Sequence, residues 1–160
     1  MVASAGIGLE FARALARDGI NCVLVARREE KLEALAAELR EKFQVEVRVE
    51  ADDLASPGGP DRVADAVADI EIGILVNNAG IGYAGRFDKQ DVNRLAEMVN
   101  LNCLAPVLLT SRILPGMRDR HRGAVIMTGS VAGRQPLPLH GVYSATKAFD
   151  LHLGEAIWAE

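Results

Sequence analysis

The chain has 160 residues, 49% hydrophobic and 25% charged, with a formal net charge of −4. That is enough for one domain with its own core, and the acidic balance argues against a general nucleic-acid or anionic-membrane binder. No unbroken apolar run approaches the ~18 residues of a membrane span and no basic, apolar leader is evident, so no membrane partner is expected; Cys22 and Cys103 suit a reduced, cytoplasmic chain better than a disulfide framework.

After Gly6, the residues Ile7, Phe11, Ala14 and Leu15 fall at helical spacing and Gly19 supplies a stop, which predicts a helix over 6–18. INCVLVA (20–26) has the length and β-branching of a buried strand. REEKLEALAAELREK (28–42) places Leu32, Leu35, Ala36 and Leu39 on one face of a charged helix. VEVRV (45–49) alternates Val45, Val47 and Val49 with polar residues, as a strand does. SPGGP (56–60) reads as a loop before a modest helix at 61–69. IGILVN (72–77) is another buried strand, and a helical region follows from 88 to about 117, interrupted near Pro106. GAVIMTG (123–129) is a further strand, and 142–160 begins a helix that the chain end cuts off. Strands alternating with helices predict an α/β fold, a parallel sheet with helices on both faces, in a single domain.

In such a sheet ligands bind beyond the carboxyl ends of the strands, and each end carries a distinctive segment. ASAGIG, with Ser4, Gly6, Ile7 and Gly8, suits a turn whose backbone amides cradle a phosphate at a helix start, or a glycine-rich helix start with no ligand. Ala26, Arg27 and Arg28 stand where a dinucleotide site chooses its cofactor. With no carboxylate for a ribose 2′-hydroxyl and with Arg27 able to meet a 2′-phosphate, the segment leans to NADP, unless the arginines are a solvated charge pair. Asp53 is a candidate partner for an adenine amino group, or a residue capping a turn. In NNAGIG (77–82), Asn78, Ala79 and Gly80 suit close backbone approach to a ligand, while the paired asparagines suit a structural tie between strands. Finally, Ser130 is followed by YSATK, whose Tyr143 and Lys147 lie four apart and so project from one helix face. An ammonium beside a phenol stabilises the phenolate, which makes Tyr143 a candidate acid or base for carbonyl–alcohol interconversion. No set of metal ligands is evident.

These residues, in this order, resemble the short-chain dehydrogenase/reductase family over essentially the whole chain. ASAGIG is similar to the end of that family's TGxxxGxG turn, NNAG matches unchanged, and Ser130 with YSATK matches its Ser…YxxxK pair. VNLNCLAPVLLT resembles the segment carrying its fourth catalytic residue, which aligns with Asn102 rather than Asn100. The resemblance implies a Rossmann-like, doubly wound, three-layer αβα domain that binds NADP, with NAD possible, and moves hydride between nicotinamide and a small carbonyl or alcohol substrate. It implies Tyr143 as proton donor, Lys147 as its modulator and a ribose ligand, Ser130 as the group orienting the substrate oxygen, and Asn102 as holder of a proton-relaying water. Pro106 has no N–H to offer the carbonyl of Asn102 four residues back, which leaves that oxygen for such a water. The full-length form is expected to be a homo-oligomer.

The departures from the family pattern are as informative. Val2 stands where the family has its first glycine and Met1 where it has Thr, and nothing supplies the first strand, which in this family lies at the sheet centre. The last strands are expected to be missing too, so the chain reads as a fragment of a reductase whose substrate-choosing parts lie elsewhere. Two rivals are a non-catalytic nucleotide-binding or oligomer-interaction relic of the same fold and a methyltransferase with a similar glycine turn. The Ser130, Tyr143 and Lys147 set speaks against the latter, since methyl transfer has no use for a phenol–lysine relay.

Overall fold

In the computed structural model, which describes residues 6–160, every expected element is present with its ends moved by a few residues. Helix α1 (Ile7–Arg17) leads to strand β1 (Cys22–Ala26), then α2 (Glu29–Phe43), β2 (Val47–Ala51), α3 (Gly59–Ala66) and β3 (Ile74–Asn77). A short 3-10 turn (Phe87–Lys89) precedes α4 (Val92–Val99), a wide π turn (Asn100–Leu104) joins it to α5 (Ala105–Asp119), and β4 (Ala124–Met127) follows. A second 3-10 turn (Val131–Gly133) introduces α6 (Gly141–Trp158). The readings of Met1, Val2 and Ser4 lie outside the described residues.

Local chemistry accounts for the shifted ends. Glu29 and Glu30 in the first turn of α2, and Arg40 and Lys42 in its last, complement the helix dipole. Pro60 sits in the first turn of α3, where its missing N–H costs nothing, so that helix starts inside the expected loop. Helix α6 was expected to be cut off by the chain end. It runs to Trp158, where the Ala159 N–H bonds back to the carbonyl of Ala156 and the Glu160 N–H to that of Ile157.

Strands β1 and β2 pair in parallel, Cys22 opposite Val47 through Ala26 opposite Ala51, and β3 and β4 pair in parallel from Ile74 opposite Ala124 to Asn77 opposite Met127. Alternate side chains enter two apolar layers. On one face Cys22, Leu24, Val45, Val47 and Val76 pack with Ala12 and Ala16 of α1 and Leu32, Leu35, Ala36 and Leu39 of α2. On the other, Val25 and Leu75 pack with Val63 of α3 and Leu101, Ala105, Leu109 and Met117 of the α5 region. Helices thus cover both faces, as a doubly wound αβα domain requires. Both layers draw on β1 and β3, yet among the described residues β1 bonds no strand but β2 and β3 none but β4, which leaves one edge of each unpaired. The gap falls where the sequence predicts the missing central strand.

Across the α1–α2 layer, Arg13 donates from Nε and Nη2 to the two oxygens of Glu38 at 3.1 and 2.9 Å, and Lys42 Nζ donates to Glu38 at 3.1 Å. Arg13 first, then Lys42, holds the Glu38 carboxyl down to about 2 from an ordinary 4.5. The unfolded chain therefore protonates Glu38 before the native one does. The clamp's contribution is intact above pH 4.5 and is lost as the pH falls towards 2. Glu38→Gln is expected to flatten the acid limb of urea-unfolding midpoints in that window. An acid limb identical in slope would show that the clamp adds nothing.

One expectation needs correction. The helical run Val92–Asp119 has 28 residues and contains an 18-residue window of mean hydropathy 1.2, long and apolar enough by composition to cross a membrane. Polar residues such as Asn100, Asn102 and Thr110 interrupt it, so a search for unbroken apolar runs misses it. In the fold 44% of that window is buried.

Candidate active site

Because both strand pairs are parallel, the segments after β1, β2, β3 and β4 gather at the carboxyl edges. At the start of α1, Gly6 takes φ 62° and ψ −141°, a left-handed conformation that favours glycine. Its carbonyl accepts from the N–H groups of Leu9 and Glu10 at 3.1 and 3.4 Å. With no side chain at this position, an anion has close access to the amides of Ile7 and Gly8. Ser4 lies outside the described residues.

After β1, Arg27 is exposed and its Nη1 stands 3.4 Å from Glu97 Oε1 on α4 and 4.0 Å from Asp53 Oδ2. Asp53 has the geometry of a turn cap. Its Oδ1 accepts from the Ala55 N–H at 2.9 Å and its carbonyl from Ser56, while Oδ2 faces Arg27. Asp52 is clamped by Arg62 through two bonds of 2.7 and 2.8 Å, which hold its carboxyl below the usual range.

The asparagines at the end of β3 tie it to α5 and to the end of β4. Asn77 Nδ2 donates to Thr110 Oγ1 at 3.1 Å and reaches Met127 sulfur at 3.3 Å, and Asn78 Oδ1 accepts from Thr128 Oγ1 at 3.3 Å. Ala79 then packs against the α5-side core. At Gly80 a Cβ would lie 3.2 Å from Asn102 Oδ1 and 3.6 Å from Lys147 Nζ, so glycine here lets the chain pass close to both polar groups. Two residues on, a Cβ at Gly82 would sit 3.7 Å from the Tyr143 ring.

Asn102, in the π turn, is 1% exposed. Its Nδ2 donates to the Ile81 carbonyl at 2.9 Å and to Thr146 Oγ1 at 3.0 Å, and its Oδ1 accepts from the Ile81 N–H at 3.0 Å. Thr146 in turn donates to the Tyr143 carbonyl at 2.8 Å. The loop after β3, the π turn and α6 are thereby locked together. Pro106 in the first turn of α5 has no N–H for a carbonyl either four or five residues back.

On α6, Lys147 is buried and its Nζ donates to the Thr128 carbonyl at 2.8 Å and to Asp150 Oδ2 at 2.9 Å. Burial pushes the Asp150 carboxyl up, against the pull of Lys147. Tyr143 is half-buried, with the His140 ring edge-on at 6.3 Å between centroids. Ser130 caps the second 3-10 turn, its Oγ accepting from the Ala132 N–H at 3.2 Å. That turn is seated on α6, since a Cβ at Gly133 would come 2.6 Å from the Lys147 carbonyl. A phenol and an ammonium one helical turn apart are a pair able to exchange a proton with a bound oxygen.

A groove of about 900 Å³ lies elsewhere, along the outer edge of β4 between the ends of α5 and α6, and contains neither Tyr143 nor Lys147. The chemistry of the side chains, not the volume, marks the site.

A family model described as short chain dehydrogenase matches residues 2–160. The chain belongs to the short-chain dehydrogenase family. The very-long-chain 3-oxoacyl-CoA reductase of Homo sapiens is 41% identical over 148 residues, which are 90% of this chain and 47% of that protein. Among solved structures, a short-chain dehydrogenase from Sphingobium yanoikuyae in complex with NADPH superposes with a TM-score of 0.93 at 36% identity, covering 98% of this chain and 62% of that one. The bulky-bulky ketone specific alcohol dehydrogenase from Comamonas testosteroni gives a TM-score of 0.93 at 35% identity, covering 98% of this chain and 64% of that one. The chain spans about half the length of the curated relatives it matches.

Within this short-chain dehydrogenase, sequence reasoning missed Thr146, Asp150 and Gly133. The first two carried a signal. Tyr143, Thr146, Lys147 and Asp150 recur at the three- and four-residue spacing of a single helix face, and the last three are buried. A buried helix face made of polar groups is a site or a network. Gly133 gave no signal, because its close approach is to a helix remote in sequence from the turn's own neighbours.

Proposed function

We propose that the chain forms the cofactor-binding and proton-transfer part of an NADP(H)-dependent oxidoreductase acting on a carbonyl or alcohol. The observation that carries this reading is the buried Lys147 ammonium, one helical turn from Tyr143, lying with the Asn102–Thr146 pair beneath Gly80. The residues fit the cofactor. Gly6, Ile7 and Gly8 would hold its phosphates, Arg27 a 2′-phosphate, Asp53 the adenine, and Asn78, Ala79 and Gly80 would pass close beside it. Lys147 would hold the nicotinamide ribose. When bound, the nicotinamide supplies or accepts hydride. Tyr143 protonates the carbonyl oxygen during reduction or takes the proton during oxidation, Lys147 stabilises its phenolate, and Ser130 fixes the substrate oxygen. Asn102 sets the π turn beside Lys147, where its carbonyl would hold a relaying water.

The similarity to the human 3-oxoacyl-CoA reductase makes 3-oxoacyl thioesters the first substrate class to test, and NADP is favoured by Arg27 and by the NADPH complex of the similar Sphingobium enzyme. The free thiols of Cys22 and Cys103 support a reducing, cytoplasmic setting. Exposed Val99, Leu104 and Phe149 support a homo-oligomer of the full-length form.

The test is fluorescence titration with NADPH and NADH, followed by NADPH oxidation against a panel of ketones and 3-oxoacyl thioesters. Tighter binding of NADPH is expected, with Arg27→Ala narrowing the gap, because a guanidinium forms charge-assisted bonds to a 2′-phosphate. In the structure Arg27 already faces Glu97 and Asp53, so the phosphate must compete for it. Equal affinities in the parent, or an unchanged ratio in the variant, would remove Arg27 from cofactor choice; Arg28 is to be varied alongside. Absence of any NADPH-linked turnover in the full-length protein would sink the reductase reading.

A further inference from the structure

Lys147 does not stand alone in the core. It shares a closed environment with Asp150, one turn further along α6, and the two side chains are only 8% and 5% exposed. Asp150 Oδ2 accepts from Lys147 Nζ at 2.9 Å, and its other oxygen, Oδ1, is buried with no hydrogen-bond partner among the described residues. A buried carboxylate with one empty oxygen is costly unless its charge is matched, and the matching cation is the ammonium at 2.9 Å. The ammonium is thus fixed from two sides, by the Thr128 carbonyl and by Asp150. Its remaining N–H is left for the side where Gly80 and Asn102 approach.

We propose that Asp150 is a positioning residue for Lys147 and offsets part of the ammonium's charge at the Tyr143 phenol, a proposal that rests on the proton-transfer roles given above to Tyr143 and Lys147. The electrostatic sign follows directly. An ammonium alone stabilises the phenolate, whereas an ammonium paired with a carboxylate does so less, so the phenol keeps its proton to a higher pH. The protonated phenol is the form that reduction needs, and Asp150 therefore extends to higher pH the range in which reduction runs.

Few other charges bear on this pair. Of the elements packed against α6, β4 and the second 3-10 turn carry no titratable side chain. The π turn contributes Cys103, whose thiol is pushed up by burial and by Asp150 and stays neutral. Helix α4 contributes Arg94, stacked on the Tyr83 ring at 4.7 Å, and Glu97, which faces Arg27. Just before α6, His140 stands edge-on to Tyr143, and on α6 itself His152 and Glu155 are exposed.

The difference in phenolate absorbance between each form of the protein and its Tyr143→Phe counterpart reports Tyr143 alone. In the full-length protein, Asp150→Asn is expected to lower the Tyr143 midpoint by about one pH unit, the scale of a single neighbouring charge. Asp150→Glu, which keeps the charge, should restore most of the parent value. The alkaline limb of kcat/KM for NADPH-driven reduction should move with the midpoint. If Asp150→Asn does not fold, Asp150→Ser replaces it with the same expected shift. An unmoved midpoint in the neutral variant, or a Glu variant that falls as far as Asn, overturns the proposal. A shift found in a protein that reduces no carbonyl supports the coupling and overturns only the assigned function.

Discussion

Replacing Tyr143 with Phe is expected to lower carbonyl-reduction turnover of the full-length protein by about 10²–10⁴-fold, the usual contribution of a positioned acid or base, with NADPH affinity nearly unchanged. The substitution removes only the phenol oxygen. The ring keeps its place beside Gly82 and His140, and the Tyr143 carbonyl still accepts from Thr146. The cofactor contacts proposed for Gly6, Arg27 and Lys147 are untouched, so a fall in kcat should appear without a matching fall in binding. Single-turnover rates with saturating NADPH separate the two, and near-parent turnover in the Phe variant would take Tyr143 out of the mechanism. Lys147→Ala is a poorer probe than it looks. It strands the Asp150 carboxylate in the core, and breaking a buried pair in this way costs about 3–5 kcal/mol of stability. Its activity loss would then mix chemistry with unfolding.

The second large effect concerns the sheet. The 160 residues expressed by themselves are expected to be marginally stable, prone to association and nearly inactive. The same residues preceded by a strand ending in Thr-Gly, and completed downstream, should fold cooperatively and bind NADPH. Among the described residues β1 bonds only to β2 and β3 only to β4. Two-stranded units are marginal in water, and the facing edges of β1 and β3 present unpaired N–H and C=O groups to any other chain. A strand between them would satisfy both edges and hold the amides before α1 against the sheet. Urea unfolding with and without NADPH, with light scattering, distinguishes the two forms. A bare chain that unfolds cooperatively, is stabilised by NADPH and reduces a carbonyl would refute this account.

Much of the architecture was legible because apolar periodicity is a local property. Leu32, Leu35, Ala36 and Leu39 announce the inner face of α2, and Val45, Val47 and Val49 announce a strand. The strand's limits were not local. Val45 is buried but unpaired, while Glu50 and Ala51 are paired, because β1 sets the register from Cys22 to Ala26. The same division holds at the site. Tyr143 and Lys147 are visible as a spacing, but the pairing of Lys147 with Asp150 depends on α6 turning that face inward against the π turn. Arg27 reads as a free cation in sequence; folding brings Glu97, on a helix far along the chain, to 3.4 Å from it. For Asp53 the residues left two readings open, and the bond from the Ala55 amide gives it the geometry of a turn cap.

The π turn at Asn100–Leu104 constrains length as well as composition. An α-helix advances ~100° per residue, and a π turn accommodates one residue more than an α-turn would. The extra residue is absorbed within the turn, so α4 and α5 face as they would in an unbroken α-helix one residue shorter. Met98, before the turn, and Leu109, after it, are both buried. Losing one residue from 100–104 is therefore expected to close the run into a single α-helix with both flanks still facing inward. What it removes is the widened backbone that seats Asn102 against Ile81 and Thr146. A codon deletion here should spare the core and strike the polar contacts beneath Gly80, whereas Asn100 and Leu104 are exposed and can change identity.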